Sequence, residues 1–390
     1  MIDSIFVALS GMLGHQRGLN VISQNVANMN TPGFRGSVIG FSDVFNGTSA
    51  SNGQQSSQSG RGGGVDASRT LLDMRRGEQQ ATGRDLDLFL KGDGFFIVQD
   101  EEGEIRYTRN GRFEFDGTQL VLVAGNRKLK VMSRNADGSF EPMTIEGQER
   151  FEPKPTTEVV FDRNLSSNDN NHVIEPVTVI DSLGISHTLR VVFDRSTAST
   201  QVQWKVTVQE DGIDIGTTDL LFAGVFVDRA PVVSLSLKGV PRTDIVFNIE
   251  ALEGVSTGDS STAVFKSQDG VALGALTGQS FDINGVLKLA YSNGKTADGQ
   301  KLALAEIRDD RGLVELGGGL FSYKGKQPVN VREAGEDLQV QNQSLELANV
   351  DLTQQFSELI LMQRAYQASS QVLSTANDML EQLMQMRSGK

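Results

Sequence analysis

The 390-residue chain has no cysteine, only three histidines (His15, His172 and His187), eight prolines and a single tryptophan. Without cysteine there are no disulfides, no thiolate metal ligands and no cysteine nucleophile, although the redox compartment stays open. Three scattered histidines exclude a histidine-rich metal centre. Basic residues are also short: 36 Lys and Arg against 49 Asp and Glu leave a net charge of -13. Phosphate recognition needs clustered Lys and Arg, so neither nucleic acid nor an anionic membrane surface is expected as the main partner. No apolar run approaches the ~18 residues of a membrane span. The first charge is Asp3, and Gly11 to Arg17 break the apolar stretch that follows. No cleaved Sec-type signal peptide is therefore expected, and any export should spare the N-terminus.

Glycine, by contrast, is plentiful at 42 residues, above the usual share of about 7%. High glycine with few aromatics suits a β-rich, turn-rich body. The length suggests two or three domains with substantial cores.

The chain ends read differently from its middle. Residues 2–28 place Ile2, Ile5, Leu9, Met12, Leu19, Ile22 and Val26 at helical steps. That helix should stop near Asn28–Asn30, because Thr31-Pro32-Gly33 follows. Gly11, Gly14 and Gly18 share one face of it, roughly opposite a stripe centred near Leu9 and Gln16. Three interior glycines cost about 3 kcal/mol relative to alanine, so the glycine face is expected to allow close backbone approach by a neighbour. At the other end Leu352, Leu359, Tyr366, Leu373 and Leu380 recur every seven residues. Phe356, Gln363, Ser370, Asn377 and Met384 complete a heptad frame, with three successive polar seam positions expected to fix register. Asp351 or Thr353 is positioned to cap its start. The two terminal helices are expected to pair with each other as a coiled coil, with further copies completing their burial. The alternative is two amphipathic elements of a globular bundle.

Between the helices the period drops to two. Residues 95–99, 104–109 and 112–115 read as strands separated by a turn at 100–103 and by Asn110-Gly111, with Asp116-Gly117 next. Residues 177–193 read as a hairpin about Leu183-Gly184, and 202–208, 243–249 and 281–291 continue the theme. Breaks are expected at 46–64, at 150–170 and at 254–280. The fold class is therefore mixed and mainly β, with a terminal α-helical coiled coil and nested discontinuous domains. A helical unit comprises 1–30 and 352–390, and a flexible stretch ordered on assembly comprises 31–69. A β-rich unit takes 70–150 and 281–351, and a further β domain, 151–280, is inserted into it.

Candidate chemistry is thin. Gly92-Asp93-Gly94 leads into a strand, not a helix, so it lacks the geometry of a phosphate loop. Asp181, Ser182 and His187 lie on one hairpin with no oxyanion element beside them. Asp85, Asp87 and Asp93 lack the ligand spacing of a calcium loop. Asn46-Gly47-Thr48 is a formal glycosylation triplet of the sort that arises by chance. No catalytic site, metal site or cofactor is expected.

Three blocks carry a resemblance. They are SQNVANMNTPGFRGS at 23–37, GRDLDLFLKGDGFFIV at 83–98 followed by YTRNGRFEFD at 107–116, and a C-terminal block at 341–384 that opens QNQSLELANVDLTQQF. Together they resemble the signatures of the bacterial flagellar rod and hook (axial) protein family. The matching positions are Asn25, Asn28, Thr31, Pro32, Gly33 and Phe34, then Gly92, Gly94, Phe95 and Phe96, then Ala348, Asn349, Val350 and Asp351. An added middle of about 130 residues resembles hook members more than the shorter rod members. The resemblance implies a non-enzymatic structural subunit that assembles in many copies into a hollow curved tube, a universal joint passing motor torque to the filament. It implies the flagellar rod, the hook cap, the hook–filament junction proteins and the flagellar type III export apparatus as partners, in an extracellular location. A distal rod or hook-associated axial protein is the alternative. Self-assembly is then expected to rest on Ile5, Leu9, Met12, Leu19, Ile22, Val26, Leu352, Phe356, Leu359, Tyr366, Leu373 and Leu380, with Gly11, Gly14 and Gly18 as close-packing positions.

Overall fold

The computed structural model describes residues 2–45, 62–135, 137–196, 203–223, 226–227, 230–249, 252–253, 260–335 and 337–388. Most of the expected break at 46–64, including the Asn46-Gly47-Thr48 triplet, lies outside these residues. The chain divides into two compact units. The first comprises Met1–Ile145, Gln279–Lys288 and Asp298–Lys390, and the second Glu146–Gly278 and Leu289–Ala297. The second unit thus takes in 289–297, which the sequence reading assigned to the other β unit.

In the first unit, helix α1 (Ile2–Ala27) is followed by strand β1 (Ser37–Phe45), strand β2 (Gly62–Leu72) and, after the β body, helix α2 (Leu352–Ser388). Strands β1 and β2 pair antiparallel from Ser37↔Leu72 to Phe45↔Gly62. Within the expected flexible stretch 31–69, residues 37–45 and 62–69 therefore form a paired ribbon. Gly64 is buried in this ribbon, whereas Val38, Phe41, Val44 and Leu71 are exposed.

The β body of this unit is built on a ten-stranded sheet. Phe95–Gln99 pairs with Ile105–Thr108 across the turn at 100–103, where Gly103 has φ +86°. Phe113–Asp116 pairs with Gln119–Ala124 across the turn at Gly117, φ +64°. Asn110-Gly111 departs from expectation. Ile105–Thr108 pairs onward with Leu320–Tyr323, not with Phe113–Asp116, so no hairpin forms there. Gly111 is required for a different reason: a Cβ on it would stand 1.8 Å from the Leu88 carbonyl oxygen. Phe95, Ile97, Met132, Ala305 and Phe321 form the core on one side of this sheet.

In the second unit two five-stranded sheets supply one core. Its largest side chains are Trp204, Phe161, Phe193 and Phe247. Phe161 meets Phe193 and Phe247 edge-on at 5.9 and 5.2 Å, the arrangement that the ring quadrupole favours. The expected hairpin forms from Asn171–Ile180 and Ser186–Ser196 about Gly184, φ +83°. Gln203–Glu210 turns through Asp211 and Gly212, at φ +51° and +78°, into Ile213–Ala223. Two stretches read from composition as breaks carry strands here, Glu158–Asn164 and Val264–Gln268, which pair with each other.

Candidate assembly interface

Helices α1 and α2 pack against each other with a fixed antiparallel register. A Cβ on Gly11 would lie 3.2 Å from Ser369 Oγ, and one on Gly18 would lie 3.1 Å from Met362 Sδ. Asn25 Nδ2 donates to Gln355 Oε1 at 2.9 Å. Steps of seven on α1 (11, 18, 25) thus meet steps of seven on α2 (369, 362, 355). Gly14 faces the ribbon, where its Cβ would stand 3.1 Å from Ala67 and 3.4 Å from Phe41.

These contacts correct the sequence reading of both helices. The face of α1 sheltered within the chain is the glycine face, with Ala8, Gly14, Gly18, Ile22 and Asn25 buried. Of the expected stripe, with the Ile2 side chain outside the described ones, only Ile22 is fully buried; Ile5, Met12, Leu19 and Val26 are half-buried and Leu9 is exposed. On α2, Leu352, Leu359, Tyr366, Leu373 and Leu380 are half-buried as one row. The second row is Gln355, Met362, Ser369 and Ala376, one position before the expected Phe356, Gln363, Ser370 and Asn377, all of which are exposed, as is Met384. Ser369 and Met362 face Gly11 and Gly18 across the seam, and Gln355 faces Asn25. An apolar pattern search passes over Ser369 and Gln355.

Apolar side chains remain on the outer faces. Phe6, Leu9 and Leu13 step along α1 by three and four, and Phe6 is 62% exposed. Leu361, Val372, Met379 and Met386 share one face of α2, the last 78% exposed. The helix register puts Asp378 opposite Ile2, so the last turns of α2 extend past the start of α1.

The motif residues join the helix pair to the β body. Asn25 Oδ1 accepts from the Ser37 amide at 2.9 Å while its Nδ2 also donates to the Ser37 carbonyl at 2.8 Å. Asn28 Nδ2 donates to the Gln24 carbonyl, and Thr31 Oγ1 donates to Asn28 Oδ1, which ends α1 before Pro32. Gly33 has φ +69°, and its amide donates to the Glu346 carbonyl at 2.8 Å. Phe34 is buried beside it. Asn349 Oδ1 accepts from Gly36 N at 2.7 Å, and its Nδ2 donates to the Asp73 and Arg75 carbonyls. Val350 lies against Gly36, and Ala348 is half-buried. Asp351 Oδ1 accepts from the Thr353 and Gln354 amides at 2.7 and 3.1 Å, which resolves the cap of α2 in favour of Asp351. Gly92 and Gly94 admit the backbone and side chain of Asp337 and Leu338, with Phe95 and Phe96 buried after them.

One buried charge cluster was not anticipated. Arg35 Nη2 pairs with Glu346 Oε1 at 2.7 Å, and Arg109 Nη1 lies 3.3 Å from Glu346 Oε2. All three side chains are at most 3% exposed. Arg109 also donates to the Leu90 and Gly92 carbonyls. Burial, only partly offset by Glu346, pushes its pKa down to about 10. The signal in the sequence was the charge itself, a single arginine after NTPGF and a single glutamate before LANVD.

Four family models match the chain in order. They are flagella basal body rod protein (residues 5–35), flagellar hook protein FlgE/F/G D1 domain (89–146), flagellar basal body protein FlaE D2 domain (148–358) and flagellar basal body rod FlgEFG protein C-terminal (341–386). The D2 match alone spans more than half of the chain. The chain belongs to the flagellar hook protein family. The flagellar hook protein FlgE of Treponema pallidum is 26% identical over 99% of this chain and 100% of its own length. That of Borreliella burgdorferi is 27% identical over 99% and 100%, and that of Escherichia coli 27% over 97% and 99%. The crystal structure of Helicobacter pylori flagellar hook protein FlgE2 overlaps 68% of this chain and 100% of its own, at 13% identity and a TM-score of 0.45. Membership of the hook family makes this chain a structural subunit of the flagellum and not an enzyme. Among the described residues no helix is long and apolar enough to cross a membrane.

Proposed function

We propose that this chain polymerises into the hollow, curved hook that serves as a universal joint between motor and filament. The paired helices 1–30 and 352–390 are assigned to the inner wall of the tube. The stretch 31–69 is assigned to contacts with neighbouring copies, 70–150 with 281–351 to the middle layer, and 151–280 to the outer surface. The rod, the hook cap, the hook–filament junction proteins and the type III export apparatus are its expected partners.

The observation that carries this reading is the unsheltered apolar face on each terminal helix. Fully burying a Phe, Leu, Val or Met side chain contributes about 1.5–3 kcal/mol, so a few such residues per neighbour are enough to drive polymerisation. The glycine face is already occupied within the chain, which assigns assembly to Phe6, Leu9 and Leu13 together with Leu361, Val372 and Met379. Leu373, expected from sequence to face another copy, belongs to the half-buried row that faces α1.

The test is a double substitution, Leu361→Asp with Val372→Asp. It should leave the circular dichroism spectrum and the monomer's thermal midpoint unchanged and abolish polymers in sedimentation and electron microscopy. Polymers forming at the wild-type critical concentration would refute the assignment.

A further inference from the structure

We propose that the cavity beside Arg35 and Arg109 is an anion socket, receiving one carboxylate or phosphate-type group. The cavity has a volume of about 280 Å³ and is lined by Arg35 and Arg109 together with Asp93, Phe95, Glu306, Arg308 and Asp310. The proposal does not depend on how the helices assemble.

Charge balance is the first argument. Two buried arginines share one glutamate, so the cluster carries a net charge of +1 in a place where unbalanced charge is costly. Geometry is the second. Arg35 Nε and Nη1 and Arg109 Nε have no hydrogen-bond partner, although both side chains are at least nine-tenths buried. Arginine presents its N–H groups as a planar fork that matches two oxygens of a carboxylate or phosphate. The Arg109 guanidinium carbon stands 5.5 Å from the centre of the Phe95 ring, which leaves the edge of its plane for hydrogen bonding.

The carboxylates nearby do not fill this role. Asp93 is engaged by Arg76 at 2.8 Å, and Glu306 by Arg308 and Arg332 at 3.2 and 2.9 Å. Asp310 pairs with no cation among the described residues, and partial desolvation by its neighbours, then Asp309 and Asp93, raises its pKa. It is the one group whose charge opposes an incoming anion without a counter-ion of its own.

Inorganic phosphate is the probe. Titrated calorimetrically into the full-length monomer at fixed ionic strength, it should bind saturably with one site per chain. Asp310→Asn, at an exposed position, should tighten that binding by about threefold or more, because it removes a repelling charge. Arg35→Lys should abolish it, because a lysine keeps the charge and loses the fork. No saturable heat in the wild type, or an affinity unaltered by Asp310→Asn, would overturn the proposal, whether or not the Arg35 variant folds. Critical concentrations for polymerisation in phosphate and in chloride identify the source of the anion. A higher value in phosphate means that the socket receives a carboxylate of a second copy. Equal values mean that it holds a free oxyanion. Either result requires the calorimetric site.

Discussion

At Gly33 the backbone adopts φ +69°, and a Cβ there would stand 2.3 Å from the amide nitrogen of Asn110. Left-handed strain and a collision with main chain act together, so Gly33→Ala should destabilise the first unit by at least about 2 kcal/mol, read from the denaturant midpoint. Glu346 answers for two buried guanidiniums at once. Replacing it with Gln should cost about 3–5 kcal/mol, because the arginines stay buried without their counter-ion. Equilibrium unfolding followed by far-ultraviolet circular dichroism measures both. At this scale the sequence announced little. The NTPGF and ANVD blocks marked where such residues lie. The reasons, a carbonyl one loop away or a salt bridge 311 residues apart between Arg35 and Glu346, depend on tertiary contact.

Among elements, the hairpin that ends at Ile180 and restarts at Ser186 carries a titratable clasp. His187 Nδ1 lies 2.6 Å from Glu210 Oε1, and its Nε2 lies 3.2 Å from Asp181 Oδ2. The Lys238 amide holds the other Glu210 oxygen, and the Leu183 and Ile185 amides hold Asp181 Oδ1. Burial alone would lower the histidine pKa, but hydrogen bonds and charge from Glu210 and Asp181 outweigh it, and the net shift is upward. A raised folded pKa means stability fully present below about pH 6.5, the unfolded value, and lost as pH climbs through the folded one. Trp204, the only tryptophan and fully buried in this unit, reports its unfolding. The urea midpoint of its fluorescence should fall between pH 6 and 9 in the wild type and stay flat in His187→Gln. Turns were the most legible elements, since Gly103, Gly117 and Gly184 all take positive φ in turns that the sequence marked. Asn110-Gly111 misled because a glycine is equally demanded by close approach to a neighbouring carbonyl. The helix seam was half legible. Its leucine row repeats visibly, whereas Gln355 and Ser369 are placed by the partners opposite them, Asn25 and Gly11.

For the molecule as a whole, the terminal helices leave apolar surface that their own chain does not cover. Polymerisation driven by that surface should weaken on cooling, because apolar hydration loses its entropic penalty at low temperature. The critical concentration should therefore be higher at 4 °C than at 25 °C, and a value falling on cooling would point to polar contacts as the driving force. Sequence conveyed the existence and position of both helices, the β character of the middle and the family. It marked the glycine face of α1 as a place of close approach but not as the seam with α2, and it set the second row of α2 one residue too late.

The seven-residue spacing of the seam has an ambiguity built into it. Sliding α2 by one heptad would still seat Gly18 on Ser369 and Gly11 on Ala376, both small pairings. The Asn25–Gln355 pair would suffer: Asn25 would keep its bonds to Ser37 but meet the thioether of Met362, and the buried Gln355 would lose the donor it accepts from, at about 1–3 kcal/mol. Within the seam that asparagine therefore acts as the key in a lock with repeating wards, telling the two helices where along each other they must stop.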